Sequence, residues 1–211
     1  MKALPNILTG GRLVLTLLVL VALVAASGAM PFAGLEEAAR HQLRSWAFVA
    51  FVVAAVTDFF DGWLARKFNA TSLLGAILDP IADKVLIACA IVGLIADGQP
   101  ALALPGGLIL FREFAVSALR ETLAPKGLRL PVTLLAKWKT TLQLVALAVM
   151  LYIQGARGLM ILIPGFNGLG LACYLRMPGW ALGIFWLAAA ITLWTGAEYA
   201  LSARKALKAS S

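Results

Sequence analysis

Long apolar runs alternate with short polar clusters along this chain, and the runs are long enough to define its architecture. A helix that crosses a bilayer needs about 20 predominantly apolar residues. Six stretches approach or reach that length: residues 8–24, 43–65, 78–95, 103–123, 132–153 and 179–203. Lys, Arg, Asp, Glu, Gly or Pro punctuates the intervals between them. Residues 160–177 are also apolar, but Pro164, Gly165, Gly168 and Gly170 interrupt them, and we read that segment as a re-entrant or interfacial loop. The pattern predicts an all-α integral membrane protein: a bundle of six transmembrane helices forming one domain over residues 1–211, with no internal repeat. The opening MKALPNILTGGR is polar and glycine-bearing, so the first run reads as a retained helix, not a cleaved leader.

Composition agrees with the pattern. The chain is 62% hydrophobic and 13% charged, about half the charged fraction of an ordinary soluble domain. A net charge of +8 would suggest nucleic acid in a soluble chain. In one this apolar it marks cytoplasmic loops that face anionic lipid, and nucleic-acid binding is set aside. The basic residues divide unevenly between the two sides. Lys2, Arg12, Arg66, Lys67, Arg120, Lys126, Arg129, Lys137, Lys139, Arg204, Lys205 and Lys208 fall on one, and Arg40, Arg44, Arg157 and Arg176 on the other. Both termini and the turn after the second run are therefore expected to face the cytoplasm. Lys84 and Arg112 lie inside spans.

Cys89 and Cys173 sit far apart in apolar surroundings and read as small buried hydrophobes. The single histidine, His41, reads as part of a polar linker, which removes histidine chemistry. Any metal would be held by oxygen, which favours Mg, Mn or Ca.

Carboxylates near lipid are expensive, yet the segment DFFDGWLARKFNATSLLGAILDPIAD concentrates Asp58, Asp61, Asp79 and Asp83 in one place. Asp58 and Asp61 are three apart and Asp79 and Asp83 four apart, so each pair shares a helix face. A turn at residues 69–72 would bring the two helix ends together. Four negative charges in a partly dry volume repel unless cations neutralise them, and divalent ions are the natural counter-charge. Two such ions about 3.5–4 Å apart can clamp a phosphoryl group between attacking and departing oxygens. Gly62, Ala65 and Gly75 lack bulk and would let a ligand approach the helix backbone, or would serve tight helix packing. Arg66, one turn beyond Asp61, suits a phosphate oxygen.

These eight positions, with their gaps, resemble the CDP-alcohol phosphatidyltransferase signature D-x2-D-G-x2-A-R-x8-G-x3-D-x3-D at every fixed place: Asp58, Asp61, Gly62, Ala65, Arg66, Gly75, Asp79 and Asp83. The resemblance implies six membrane helices, a cytoplasm-facing active site and metal-dependent displacement at a CDP-linked phosphate. It implies two divalent ions, Mg or Mn, on Asp58, Asp61, Asp79 and Asp83, with Asp83 also the general base. Gly62, Arg66 and Ser72 would contact the CDP-linked donor. A homodimer is implied by the resemblance alone. A carboxylate within reach of the attacking hydroxyl can take its proton, which gives the role of Asp83 a physical reason.

The acceptor must be read from cations elsewhere. In FREFAVSALRE, Glu113, Ser117 and Arg120 share a face, while Arg112 lies about a quarter turn away and needs a partner from another helix or a bound phosphate. KWKTTLQ adds Lys137, Lys139 and Thr141. These cations could equally form inter-helix ion pairs or interfacial anchors. Several of them near an acidic site suggest an acceptor that carries its own phosphate, with Ser117 and Thr141 as hydrogen-bonding partners. LPNILTGGR, REFAVSALRE and KWKTTLQ, in that order, are similar to the bacterial, phosphatidylglycerophosphate-forming branch of the family. That branch implies CDP-diacylglycerol as donor, sn-glycerol 3-phosphate as acceptor and residence in the inner membrane. Asn6, Thr9 and Arg12 at the start of the first helix would meet the cytidine or its diphosphate, with a helix cap the other role open to Asn6. Other readings are the same chemistry on inositol phosphate, serine or phosphatidylglycerol, a divalent-cation transporter, and a non-catalytic scaffold.

Overall fold

The computed structural model describes residues 4–68, 73–126, 134–161 and 179–210, with side chains described for residues 9–58, 78, 81–125, 138–155, 179–205, 207 and 208. The described residues form helices and turns only. Six long helices follow in order: α1 (Leu4–Ala26), α2 (Glu37–Phe68), α3 (Leu73–Ala96), α4 (Ala103–Leu123), α5 (Leu134–Ile161) and α6 (Gly179–Ser210). Each contains most or all of one apolar run. Short 3-10 turns at Pro100–Leu102 and Ala124–Lys126 flank α4. The segment read as a re-entrant loop lies outside the described residues beyond Ile161, and so does the turn at 69–72.

Three helices are long and apolar enough, among the described residues, to cross a membrane: Thr9–Ala26, Pro100–Leu123 and Gly179–Lys205. In α2 the apolar stretch between Arg44 and Asp58 spans about 20 Å as a helix. That is short of the roughly 30 Å hydrocarbon core, so the charges at its two ends need partners.

Helix α1 packs on α2 and α3, α2 on α5, and α4 and α5 on α6, while α3 meets both α4 and α5. The buried centre includes Val19, Leu23, Phe51, Leu86, Ile91, Leu147, Met150 and Phe185. Between them sit fully buried alanines, among them Ala47, Ala54, Ala90, Ala146 and Ala188. Apolar burial gives little drive between helices in lipid, so close approach at small residues does much of the holding. The outer surface is apolar as well: Leu17, Leu18, Trp46, Val53, Phe111, Phe114 and Trp194 are all more than 40% exposed. Such a surface matches hydrocarbon and would be a liability in water.

At the end of the bundle away from Asp83, one ion pair ties α2 to α3. Helix α3 closes with a left-handed Gly98 (φ +87), whose N–H donates to the Ile95 carbonyl while the Gln99 N–H donates to Leu94. That terminating motif favours glycine and leaves Asp97 at the cap. The Asp97 carboxylate is fully buried. Arg44 donates to both of its oxygens, Nε to Oδ2 at 2.8 Å and Nη2 to Oδ1 at 2.7 Å. The same Nη2 donates to the last carbonyl of α1, that of Ala26. His41, expected in a polar linker, instead lies buried in the first turns of α2 with Nδ1 3.2 Å from Arg44 Nη1. The helix reaches back past the apolar run because Glu37 favours a helix start. Asn6, for its part, lies inside α1 and does not cap it.

Asp97→Ala should cost about 3–5 kcal/mol by stranding Arg44, while Arg44→Met with Asp97→Leu should recover most of that loss, read by reversible unfolding in mixed micelles. Burial and the neighbouring Arg44 push the His41 imidazole below its ordinary value. The folded chain then binds fewer protons than the unfolded one, and its stability should fall as pH drops below roughly 6.5. His41→Gln should flatten that decline.

Candidate active site

Asp58 and Asp61 lie near the C-terminal end of α2, and Asp79 and Asp83 near the N-terminal end of α3. The helical spacing expected of each pair is thus present in the backbone. Arg12, on α1, is buried to 1% exposure. Its Nη1 lies against Asp58 Oδ1 and donates to Asp83 Oδ1 at 3.1 Å. One guanidinium nitrogen therefore brings together carboxylates from two different helices. Thr9, one turn earlier, is equally buried. Arg12, assigned from the sequence to a CDP-linked ligand, here shares its one positive charge between the two carboxylates. The Thr16 hydroxyl donates to the Arg12 carbonyl at 2.8 Å.

An oxygen-only donor set of this kind suits a hard divalent ion. Among the described residues no three acidic, histidine or cysteine groups come together to hold a metal. Asp61 and Asp79, which the spacing adds to the same faces, have side chains outside that set, as do Asn6, Gly62, Ala65, Arg66, Gly75 and Lys137. Ser72 lies outside the described residues altogether. Asp58 and Asp83, which share one positive charge from Arg12, supply oxygen donors of the kind a divalent ion takes.

Asp83 also lines a cavity of about 260 Å³ shared by four helices. Helix α3 contributes Asp83, Lys84 and Ile87, α4 contributes Arg112, Glu113, Val116, Ser117 and Arg120, α5 contributes Lys139 and Thr140, and α6 contributes Tyr199. Arg112, Ser117 and Arg120 on α4 and Lys139 on α5 thus share one space with Asp83. Thr141 does not join them: it is exposed, and Thr140 takes the wall position.

Glu113 organises the cavity. Contrary to expectation, it does pair with its neighbour Arg112, whose Nη1 lies 3.2 Å from Glu113 Oε1. The quarter-turn offset between adjacent residues is bridged by the length of the arginine side chain. Lys139 Nζ donates to the same oxygen, and Gln143 Nε2 lies 3.4 Å from it. Arg112 Nη2 donates to Thr195 Oγ1 at 3.1 Å, and Gln143 Nε2 to Thr192 Oγ1 at 2.6 Å. Helix α6 comes close enough for this because residue 196 is glycine; a Cβ there would meet Arg112 Cγ at 2.7 Å.

The α6 residues Thr192, Thr195 and Tyr199 were missed in the sequence. Their signal is polar groups at i, i+3 and i+7 in an otherwise apolar helix, which marks one inward face. In all, Lys84, Arg112, Arg120 and Lys139 surround the cavity against two carboxylates, Asp83 and Glu113. That surplus of positive charge suits an anion of about two negative charges, as a phosphomonoester carries.

Removing the Arg12 charge should expose the repulsion it relieves. Arg12→Gln should lose about 2 kcal/mol of stability in chelator, less than for a fully buried pair because both carboxylates keep some exposure. Added Mg should restore more stability to the variant than to the parent, measured by thermal unfolding with and without the ion.

Sequence comparison finds relatives along nearly the whole chain. A sequence profile described as CDP-alcohol phosphatidyltransferase matches residues 2–194. A Cereibacter sphaeroides protein named CDP-diacylglycerol–glycerol-3-phosphate 3-phosphatidyltransferase is 44% identical, covering 77% of this chain and 83% of its own length. Relatives of the same name from Rickettsia typhi and Escherichia coli K12 are 39% and 40% identical. The first covers 94% of this chain and 96% of itself, the second 73% and 76%. With a signature complete from Asp58 to Asp83, and a profile that matches nearly its whole length, the chain belongs to the CDP-alcohol phosphatidyltransferase family of membrane enzymes.

Proposed function

We propose that this enzyme transfers the phosphatidyl group of CDP-diacylglycerol to sn-glycerol 3-phosphate, giving phosphatidylglycerol phosphate and CMP. The observation that carries the reading is the single cavity in which Asp83 meets Arg112, Ser117, Arg120 and Lys139. A carboxylate at one wall can accept the proton of an attacking hydroxyl, while cations at the others hold an acceptor through its own phosphate. Serine and glycerol lack that phosphate and leave the cations unused. The names of the curated relatives support the same donor and acceptor.

In this reaction an acceptor hydroxyl oxygen forms a bond to the β-phosphorus of the donor as the bond from that phosphorus to CMP breaks. The proton leaves on Asp83, and Arg12 keeps that carboxylate oriented. Asp58, Asp61, Asp79 and Asp83 would hold two divalent ions, Mg or Mn, which when bound neutralise the donor's diphosphate. Asn6, Thr9, Arg12, Gly62, Ala65, Arg66, Ser72 and Gly75 complete the proposed donor site. We read all six helices as spans, with the site and both termini on the cytoplasmic side of a bacterial inner membrane. The excess of basic residues at that end supports this orientation. Family resemblance supports a homodimer.

Purified protein with CDP-diacylglycerol and labelled acceptors tests the reading. CMP should be released with glycerol 3-phosphate and not with serine or inositol phosphate; the opposite preference would sink the acceptor assignment. Asp83→Asn should insert and fold but lose about 10²–10⁴-fold in turnover, and retained activity would remove Asp83 as the base. Arg112→Gln should raise KM for glycerol 3-phosphate about tenfold or more, with KM for the donor little changed.

A further inference from the structure

We propose that Tyr199 on α6 is a positioning residue that holds Arg112 and Arg120 together as a ready-made clamp for the acceptor's phosphate. This rests on the phosphorylated-acceptor reading and extends it to a residue and a helix outside the family signature.

Tyr199 is buried to 4% exposure and lines the cavity. The guanidinium carbons of Arg112 and Arg120 lie 5.8 and 5.6 Å from the centre of its ring, both within the range of cation–π attraction. Its hydroxyl accepts from Arg120 Nη2 at 3.3 Å. Two guanidiniums on one cavity wall repel each other in the absence of an anion. A ring whose faces carry negative charge, with a hydroxyl oxygen at its edge, relieves that repulsion.

The two arginines differ in how they are held. Arg112 has further anchors in Glu113 and Thr195. Among the described residues, the guanidinium contacts of Arg120 are the ring and hydroxyl of Tyr199. Arg120 is also the more exposed of the two. It is thus the cation that would swing into solvent if the ring were removed. Held in place, both cations meet a phosphate with no reorganisation, which is the usual source of affinity in a preorganised site.

The test compares Tyr199→Leu with Tyr199→Phe in detergent micelles, reading KM for each substrate, kcat, and thermal stabilisation by inorganic phosphate. Tyr199→Leu should raise KM for glycerol 3-phosphate about tenfold or more, the worth of desolvated cation–π contacts. The KM for CDP-diacylglycerol and kcat should stay within about threefold. Tyr199→Phe keeps the ring and should stay within about threefold of the parent throughout. Inorganic phosphate should stabilise the parent and Tyr199→Phe but not Tyr199→Leu. Should Tyr199→Leu fail to accumulate in the membrane, Tyr199→Met supplies the ring-free variant, with the same outcomes expected. An unchanged KM for glycerol 3-phosphate in the ring-free variant, or equal shifts for both substrates, overturns the proposal. So does a Tyr199→Phe variant as impaired as the ring-free one. If the parent responds to phosphate and the ring-free variant responds equally, only the role of Tyr199 falls. If the parent neither responds to phosphate nor uses glycerol 3-phosphate, the acceptor reading falls and takes this proposal with it.

Discussion

A single guanidinium nitrogen of Arg12 touches carboxylates from two other helices, and the active end of the bundle depends on that contact. Two unit charges 4 Å apart interact by about 4 kcal/mol at an effective dielectric near 20. That exceeds the 0–1 kcal/mol of an ordinary exposed ion pair. Asp58 and Asp83, held close together, therefore gain from a cation between them. Arg12 provides one from α1, and in doing so ties α1 to both α2 and α3. The arrangement also explains how a chain rich in apolar residues can keep acids at this position: their charge is met from inside the protein.

The same principle recurs at two other places with the signs arranged differently. Arg44 and Asp97 tie the far ends of α2 and α3 with a bidentate pair that also reaches the end of α1. In the cavity, Glu113 is shared by Arg112 and Lys139, while Tyr199 receives Arg112 and Arg120 on its ring. The first half of the chain thus builds an acidic centre and the second half a basic one, with α3 contributing Asp83 to both. The cavity lined by Asp83 and the cations of α4 and α5 lies where the two halves meet.

Much of this was legible in the sequence for a physical reason: bilayer thickness sets the length of an apolar run, and helical periodicity sets which acids share a face. The six runs predicted six helices, and the spacing of Asp58 with Asp61 and of Asp79 with Asp83 placed each pair on one helix. Helix ends were less legible because polar residues continue a helix as readily as they end it. Glu37 to Gln42 extend α2 and pull His41 out of the expected linker, while residues 204–210 extend α6. Arg112 and Glu113 were kept apart by an argument from helix faces, which holds for Cβ directions but not for the reach of a long flexible side chain. Tyr199 and Thr195 carry no charge that would mark them in the sequence; they hold charge that another helix supplies.

The most direct test of the account is where the acceptor's phosphate sits when both substrates are bound. A cryo-EM structure of the Asp83→Asn protein with Mg, CDP-diacylglycerol and glycerol 3-phosphate would locate it. The account predicts the phosphate within hydrogen-bond reach of Arg112 and Arg120, in the cavity that Tyr199 lines, with a glycerol hydroxyl at residue 83. A phosphate bound outside that cavity, for instance beside Arg204 and Lys208 at the end of α6, would contradict it.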